Sequence, residues 1–256
     1  MTVRPTLIIP AAGRGTRLGG SMPKVLYPVN GRAMIDHLLA RYASQVERIV
    51  LVLQPDALDP VRRHCEAAGH ALDYAIQPAA TGMLDAVLAP WQEITARRPP
   101  SVWMTWCDQV AVGDGTVRRL ADLSGERPPP ALVVPTAIRR GPYTHLQRDE
   151  SGRITAILHR REGDPIPEGG ESDIGLFALS GECYERWLPA FAAEPRRGAT
   201  TGERNFLPFI AWVARRATVR TFPCEHEVEA VGVNDLADLH RVEAYLREVA
   251  HGAGSA

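Results

Sequence analysis

Cysteine is scarce in this chain of 256 residues: four are present, Cys65, Cys107, Cys183 and Cys224, and no two form a C-x-x-C pair. Their scatter supports neither a zinc site nor a disulfide framework. Net charge is equally slight, since 29 Lys and Arg against 30 Asp and Glu leave a formal −1. So balanced a chain gives no global electrostatic case for binding nucleic acid or a membrane surface. No apolar run approaches the ~18 residues of a spanning helix, and no N-terminal signal segment is visible, so a soluble, cytoplasmic protein is expected. Internal repeats are absent, hexapeptide repeats included. No break in composition marks a domain boundary, and the length suits one α/β domain with a large core. One domain is therefore expected over residues 1–250, with a frayed tail at 251–256.

Two familiar phosphate-binding patterns are missing as well. A P-loop requires G-x-x-x-x-G-K-[ST], whereas Lys24 follows Pro23 and precedes Val25. A dinucleotide fingerprint requires a third glycine and an acid ending the next strand. Leu18 occupies the glycine's place, and the strand Arg48 to Leu53 runs into Gln54.

What is present is the stretch Pro10-Ala11-Ala12-Gly13-Arg14-Gly15-Thr16-Arg17, with Lys24 seven residues further on. The apolar run Leu7-Ile8-Ile9 reads as a short buried strand entering a turn of minimal side chains. There the backbone can approach a ligand closely, glycine can take positive φ, and successive amides can form an anion-binding concavity. Arg17 adds a planar fork and Lys24 a point charge, so the stretch suits a polyphosphate.

Strands and helices then alternate. Met34, Ile35, Leu38, Leu39 and Tyr42 share one helical face, and Ile49 to Leu53 is a continuous apolar run of the kind a parallel strand shows when covered on both sides. A helix is predicted over Asp56 to Ala67, a strand over Leu72 to Ile76, a helix carrying Met83, Leu84, Val87, Leu88 and Trp91, and a strand over Val102 to Trp106 leading to Asp108. Ala131 to Pro135 follows as a strand. The order βαβαβ predicts a Rossmann-like α/β fold, a mixed, mainly parallel sheet with helices on both faces. After Arg139 the pattern turns β-rich. Tyr143 to Arg148 and Arg153 to Leu158 read as a hairpin, Glu162 to Gly170 as a loop and Asp173 to Leu179 as a strand. This excursion, about 140–180, is expected to lie over the carboxyl edge of the sheet. Phe206, Phe209, Ile210 and Val213 mark a further helix, and Leu236, Leu239, Val242, Leu246 and Val249 the last.

The N-terminal stretch resembles the signature of the sugar-1-phosphate nucleotidylyltransferases, G-x-G-T-R followed by P-K, most nearly that of the uridylyltransferase domain of N-acetylglucosamine-1-phosphate uridylyltransferase. The similarity continues at Val25-Leu26, Gly31 and Met34-Ile35, then at Gln77, Thr81-Gly82, Asp108 and Gly232-Val233-Asn234. It implies a magnesium-dependent enzyme whose partners are a nucleoside triphosphate, UTP first, and a small phosphorylated acceptor such as a sugar 1-phosphate, with pyrophosphate released. By this resemblance Arg17 contacts the leaving pyrophosphate and Lys24 the α-phosphate. Ala11, Ala12, Gly13, Gly15 and Thr16 line the triphosphate, Gln77 reads the base beside Thr81 and Gly82, and Asp108 and Asn234 bind the metal. Read without the family, Asp108 could cap a following helix, Asn234 could N-cap the last one, and Gln77 could simply end a strand.

The acceptor motifs depart from the pattern. Gly141-Pro142-Tyr143-Thr144-His145 stands where the family has a glycine-rich segment, His159 stands near its sugar-reading Glu, and Glu171-Ser172-Asp173-Ile174-Gly175 replaces E-x-N-T-G. Tyr143, His145, His159 and Asp173 are the candidate acceptor residues. The gain of His145, His159, Arg160 and Arg161 points to a different, more anionic acceptor. A cytidylyl- or other nucleotidylyltransferase acting on a cyclitol, alcohol or phosphonate, or a nucleotide-sensing protein without turnover, are the other readings.

Overall fold

The computed structural model describes residues 4–13, 16–19 and 22–253. The first strand, β1 (Thr6–Pro10), is buried along its whole length. Single helical turns at Thr16–Leu18 and Lys24–Leu26 lead to a small hairpin, β2 (Pro28–Val29) and β3 (Arg32–Ala33), and then to α1 (Met34–Tyr42). There follow β4 (Arg48–Leu53), α2 (Pro55–Ala67), β5 (Asp73–Ile76), α3 (Met83–Leu88), α4 (Trp91–Arg97), β6 (Ser101–Thr105), α5 (Asp114–Ser124) and β7 (Leu132–Arg140). The β-rich part comprises β8 (Thr144–Arg148), β9 (Ile154–His159), β10 (Gly169–Asp173) and β11 (Leu176–Ser180). A wide helical turn, Cys183–Trp187, opens α6 (Leu188–Ala192), and the chain ends with α7 (Pro208–Ala214), β12 (Val219–Pro223) and α8 (Leu236–Ala253).

Eight strands form one mixed sheet in the order β10-β7-β11-β6-β1-β4-β5, with β12 also on β7. β1 pairs in parallel with β4 and β6, β4 with β5, and β12 with β7. β11 is antiparallel to β6 and β7, and β10 to β7. Alternation along β1 divides the core. Leu7 and Ile9 pack with Met34, Leu38, Val61, Leu120 and Val242, whereas Ile8 packs with Leu84, Val87, Ile94, Phe209 and Trp212. Helices thus cover both faces, as the uninterrupted apolar strands require. Each such aliphatic side chain, fully buried, contributes about 1.5–3 kcal/mol of transfer free energy.

Several expectations shift. The single helix from Met83 to Trp91 is two, α3 and α4, because Pro90 lacks the N–H needed to continue the ladder. The strand expected over Asp173 to Leu179 is broken at Gly175, whose φ of +71° suits glycine. A Cβ there would also lie 2.5 Å from Trp106 Cδ1. Its first part, β10, starts at Gly169, inside the expected loop. Both β10 and β11 join the main sheet, so only the β8–β9 hairpin stands apart as an excursion, held by Leu146, Ile154 and Ile157 in the second core. The helix α5 escapes the periodicity because its buried face amounts to Thr116, Val117 and Leu120 behind Gly113 and Gly115. The segment Cys183–Ala192 and β12 were likewise not foreseen. Finally α8 runs through Ala253, into the expected tail, and 254–256 lie outside the described residues.

Candidate active site

Three of the expected residues meet at the carboxyl ends of β1 and β6. Lys24 opens the turn that follows Pro23 and is only 9% exposed. Its Nζ donates to Asp108 Oδ2 at 2.5 Å and to Asn234 Oδ1 at 2.9 Å. Burial, the largest single influence, would lower the pKa of this ammonium, but the charge and hydrogen bond of Asp108 together with Cys107 raise it on balance, while Arg17 nearby works the other way. The lysine is therefore a fixed cation.

Neither partner is spent on helix capping. Asp235 caps α8, its Oδ1 accepting the Asp238 N–H at 3.0 Å. The Asn234 N–H donates to Asp238 Oδ2 at 3.1 Å, and its side-chain amide donates to the Gly232 carbonyl at 3.0 Å. Those bonds orient the side chain so that Oδ1 faces Lys24. Asp108 is fixed by the Val233 N–H, which donates to its carbonyl at 3.1 Å. Gly232 leaves room for the carboxylate, for a Cβ there would sit 3.1 Å from Asp108 Cγ. Asp108 and Asn234 are hard oxygen donors converging on one cationic atom, a donor chemistry that also fits a divalent cation such as magnesium. Among the described residues no group of three His, Cys, Asp or Glu side chains forms a metal cage. The pair would thus supply part of a coordination shell.

The small-residue loop lies beside this group. The Ala11 N–H donates to the Val52 carbonyl at 2.8 Å, tying the loop to the edge of β4. Gly13 is exposed, and a Cβ on it would meet nothing within 4 Å. Its φ is not in the left-handed region, so what glycine leaves here is open space over the backbone, not relief of strain. Arg17 is exposed in the turn Thr16–Leu18. Gly15 lies outside the described residues, and of Thr16 only the backbone is described.

Gln77, Thr81 and Gly82 form a second group, at the end of β5. Gln77 is 5% exposed, its N–H donates to the Leu53 carbonyl at 2.8 Å, and its Nε2 donates to the Gly82 carbonyl at 2.9 Å. One amide hydrogen is therefore committed to closing the loop through Pro78-Ala79-Ala80.

A third group gathers where β8 and β9 meet β10. Thr144 pairs across the hairpin with His159, and its hydroxyl donates to Asp173 Oδ2 at 2.7 Å. Asp173 also accepts the Gly175 N–H at 2.9 Å; burial raises its pKa, and these two bonds oppose that shift. Tyr143 stacks edge-on against the His159 ring with centroids 5.1 Å apart. Burial draws the His159 pKa down, only partly offset by Glu162 and Asp173, and its Nδ1 has no partner among the described residues. His145 is not part of this group. It points to the other face of the hairpin, against Gly170, as strand alternation demands. The gathered positive charge expected at the acceptor is also reduced. Arg161 is paired with Glu203 at 2.7 Å, the Arg160 guanidinium is occupied by the Pro142 carbonyl, and burial disfavours the charged form of His159.

Gln109 was not foreseen. Only 7% exposed, it lies between Gly175 and Gly232 beside Asp108, and its Oε1 has no hydrogen-bond partner. Its neighbours are 66 and 123 residues away in sequence, so no local spacing announces it.

Comparison with known proteins adds to this geometry. Residues 7–170 match the MobA-like NTP transferase domain. That span contains the small-residue loop, Lys24, Gln77 and Asp108, and ends before Asp173 and Asn234. Bifunctional protein GlmU of Azotobacter vinelandii is 28% identical over 244 residues, covering 94% of this chain and 51% of that protein. Bifunctional protein GlmU of Halorhodospira halophila is 30% identical over 247 residues, covering 93% and 48%. The chain thus spans about half the length of the curated relatives it matches.

Proposed function

This chain belongs to the MobA-like NTP transferase family, and we propose that it transfers a nucleoside monophosphate from a nucleoside triphosphate, UTP first, to a sugar 1-phosphate. The observation that carries the reading is Lys24, held between Asp108 and Asn234 at the carboxyl edge of the sheet. In such sheets ligands bind outside the carboxyl ends of the strands.

In the reaction an oxygen of the acceptor phosphate forms a bond to the α-phosphorus, and the bond from the α-phosphorus to the β-phosphate's bridging oxygen breaks. Pyrophosphate takes the electron pair. The attacking phosphate is already ionised near neutral pH, so the protein has no proton to remove. Its task is to bring two anions together. At about 5 Å and an effective dielectric near 20, each pair of unit charges repels by roughly 3 kcal/mol. Lys24 gives its charge to the α-phosphate and Arg17 to the departing pyrophosphate, while Ala12, Gly13, Gly15 and Thr16 lend backbone donors and Ala11, its own N–H held by Val52, lends space. Asp108 and Asn234 would hold a divalent cation, magnesium by its preference for hard oxygens, which when bound neutralises phosphate charge. Gln77, with Thr81 and Gly82, faces the base; Tyr143, His159 and Asp173 face the acceptor.

A second reading within the class is a different pyrimidine triphosphate or a phosphorylated alcohol or cyclitol. His159 and Asp173 favour it, since they stand where the sugar-1-phosphate family has a Glu and an Asn. Pyrophosphate release measured over a grid of UTP, CTP and dTTP against sugar 1-phosphates and phosphorylated alcohols separates the two. Turnover with at least one pair is expected, and silence across the grid would overturn the proposal.

A further inference from the structure

The loop 198–205, which joins α6 to α7, grips both of the substrate-facing segments just described. On one side it pairs with the loop after β5. The Arg204 N–H donates to the Thr81 carbonyl at 2.8 Å, and the Leu84 N–H donates to the Arg204 carbonyl at 3.0 Å. The two backbones run so close at Gly82 that a Cβ there would fall 2.4 Å from the Arg204 carbonyl oxygen. The Arg204 guanidinium then spans from the Asp85 carboxylate in the first turn of α3 to the carbonyl of Ala192 in α6.

On the other side the loop closes around Glu162, three residues beyond His159. Glu162 Oε2 accepts the N–H groups of Thr200 at 3.0 Å and Thr201 at 3.2 Å. Its Oε1 accepts the Thr201 hydroxyl at 2.6 Å and the Asn205 amide at 2.8 Å. The Thr200 hydroxyl donates to the Glu162 carbonyl at 2.9 Å, and Arg161 pairs with Glu203 beside it. Gly198 is required for this fit, since a Cβ would meet the Glu162 carboxylate at 2.3 Å. One side chain thus accepts four hydrogen bonds from a loop about 40 residues away, and that same loop bonds through its backbone to the opposite substrate segment. Neither Glu162 nor Arg204 bonds to Lys24, Asp108 or Asn234.

We propose that Glu162 and Arg204 are positioning residues, and that through them the loop 198–205 mechanically couples the nucleotide-facing loop 77–84 to the acceptor-facing hairpin ending at His159. This inference rests on the substrate assignments made under the proposed function. A ligand that orders 77–84 stiffens 198–205 through the paired backbones and the Arg204–Asp85 contact. The carboxylate of Glu162 passes that order to the hairpin, so triphosphate prepares the acceptor site without touching it.

Hydrogen exchange tests this with one ligand. The probe is α,β-methylene-UTP with magnesium, and the matching CTP analogue is run beside it. In the wild-type protein the bound analogue is expected to slow exchange at least tenfold both in 77–84 and in 154–162. In Glu162→Gln, which keeps the side chain's size but turns one accepting oxygen into a donor facing donors, protection is expected in 77–84 alone. Thr201→Val, a milder change, is expected to give an intermediate loss in 154–162, and thermal melts establish that each variant is folded. Protection confined to 77–84 in the wild type, or equal protection of 154–162 in wild type and Glu162→Gln, overturns the coupling while leaving the transferase reading intact. If neither analogue protects any segment of the wild type, the substrate assignment fails and the coupling falls with it.

Discussion

Lys24 is the residue on which the site turns, and its role separates rate from binding. Lys24→Ala is expected to lower kcat by about 10²–10³-fold, the usual effect of removing one preorganised charge from a transition state. It should also leave Asp108 and Asn234 without their shared donor, at a stability cost of about 1–3 kcal/mol measured by urea unfolding. Gly232→Ala reports on geometry alone. Its new Cβ would crowd the Asp108 carboxylate at 3.1 Å and the Gln109 amide at 3.2 Å, so steady-state turnover should fall about tenfold or more, with the fold retained in a thermal melt. At this scale the sequence is legible where the motif is local. Gly13, Arg17 and Lys24 fall within one short stretch, and phosphate chemistry can be read from their types and order. Asn234 is readable only through family likeness, because nothing near it says whether its oxygen caps a helix or faces a lysine; the neighbouring Asp235 decides that by taking the cap. His145 shows the converse. Its residue type suggested an acceptor contact, and the two-residue period of β8 turns it to the opposite face.

At the scale of elements, strands that carry chemistry announce themselves because burial on both faces writes a continuous apolar run. β1, β4 and β6 are of this kind, and β1 and β6 deliver the small-residue loop and Asp108 to the same edge. Elements that merely complete a layer do not: α5 buries three side chains on one face, and β12 is only half-buried. Nor does composition reveal the grip of the loop 198–205, since Glu162 and its donors look like ordinary polar surface. Two measurements probe that grip as structure. Gly82→Ala combines a φ of +126° with backbone contact at 2.4 Å, and is expected to destabilise the protein by about 3 kcal/mol or more in urea unfolding. Glu162 supplies a pH signature. Burial pushes its pKa up, but the hydrogen bonds from Thr201, Asn205 and Thr200 prevail and bring it down to about 2, against an ordinary 4.5. A carboxyl group depressed on folding stabilises the protein above its unfolded pKa, and that contribution fades as pH falls toward the folded value. The Tm gap between wild type and Glu162→Gln should therefore be constant from pH 7 to about 4.5 and shrink between about 4.5 and 2.

For the molecule as a whole, the central expectation is dependence on a divalent cation. Dialysis against EDTA should abolish pyrophosphate release and added magnesium should restore it, with the far-ultraviolet circular dichroism unchanged throughout, because the two apolar cores on either face of the sheet hold the fold. The α/β layering could be anticipated from alternating strands and helices, and the helices on both faces follow from it. The reach of the β-rich part could not, because β10 and β11 return to the main sheet by pairings with β7 and β6 that no local pattern encodes. Longest in reach is α8. Its first turn follows Asn234, and further along, Glu243 accepts the Asn30 N–H at 2.8 Å while Arg247 donates to the Asn30 side chain at 2.7 Å, clasping the hairpin that follows Lys24. Lysine and asparagine are 210 positions apart, so the candidate site closes through a contact of very high sequence separation. During synthesis, then, the small-residue loop leaves the ribosome early and waits, with Lys24 not yet held in place, until the segment from Asn234 to Arg247 has emerged and docked.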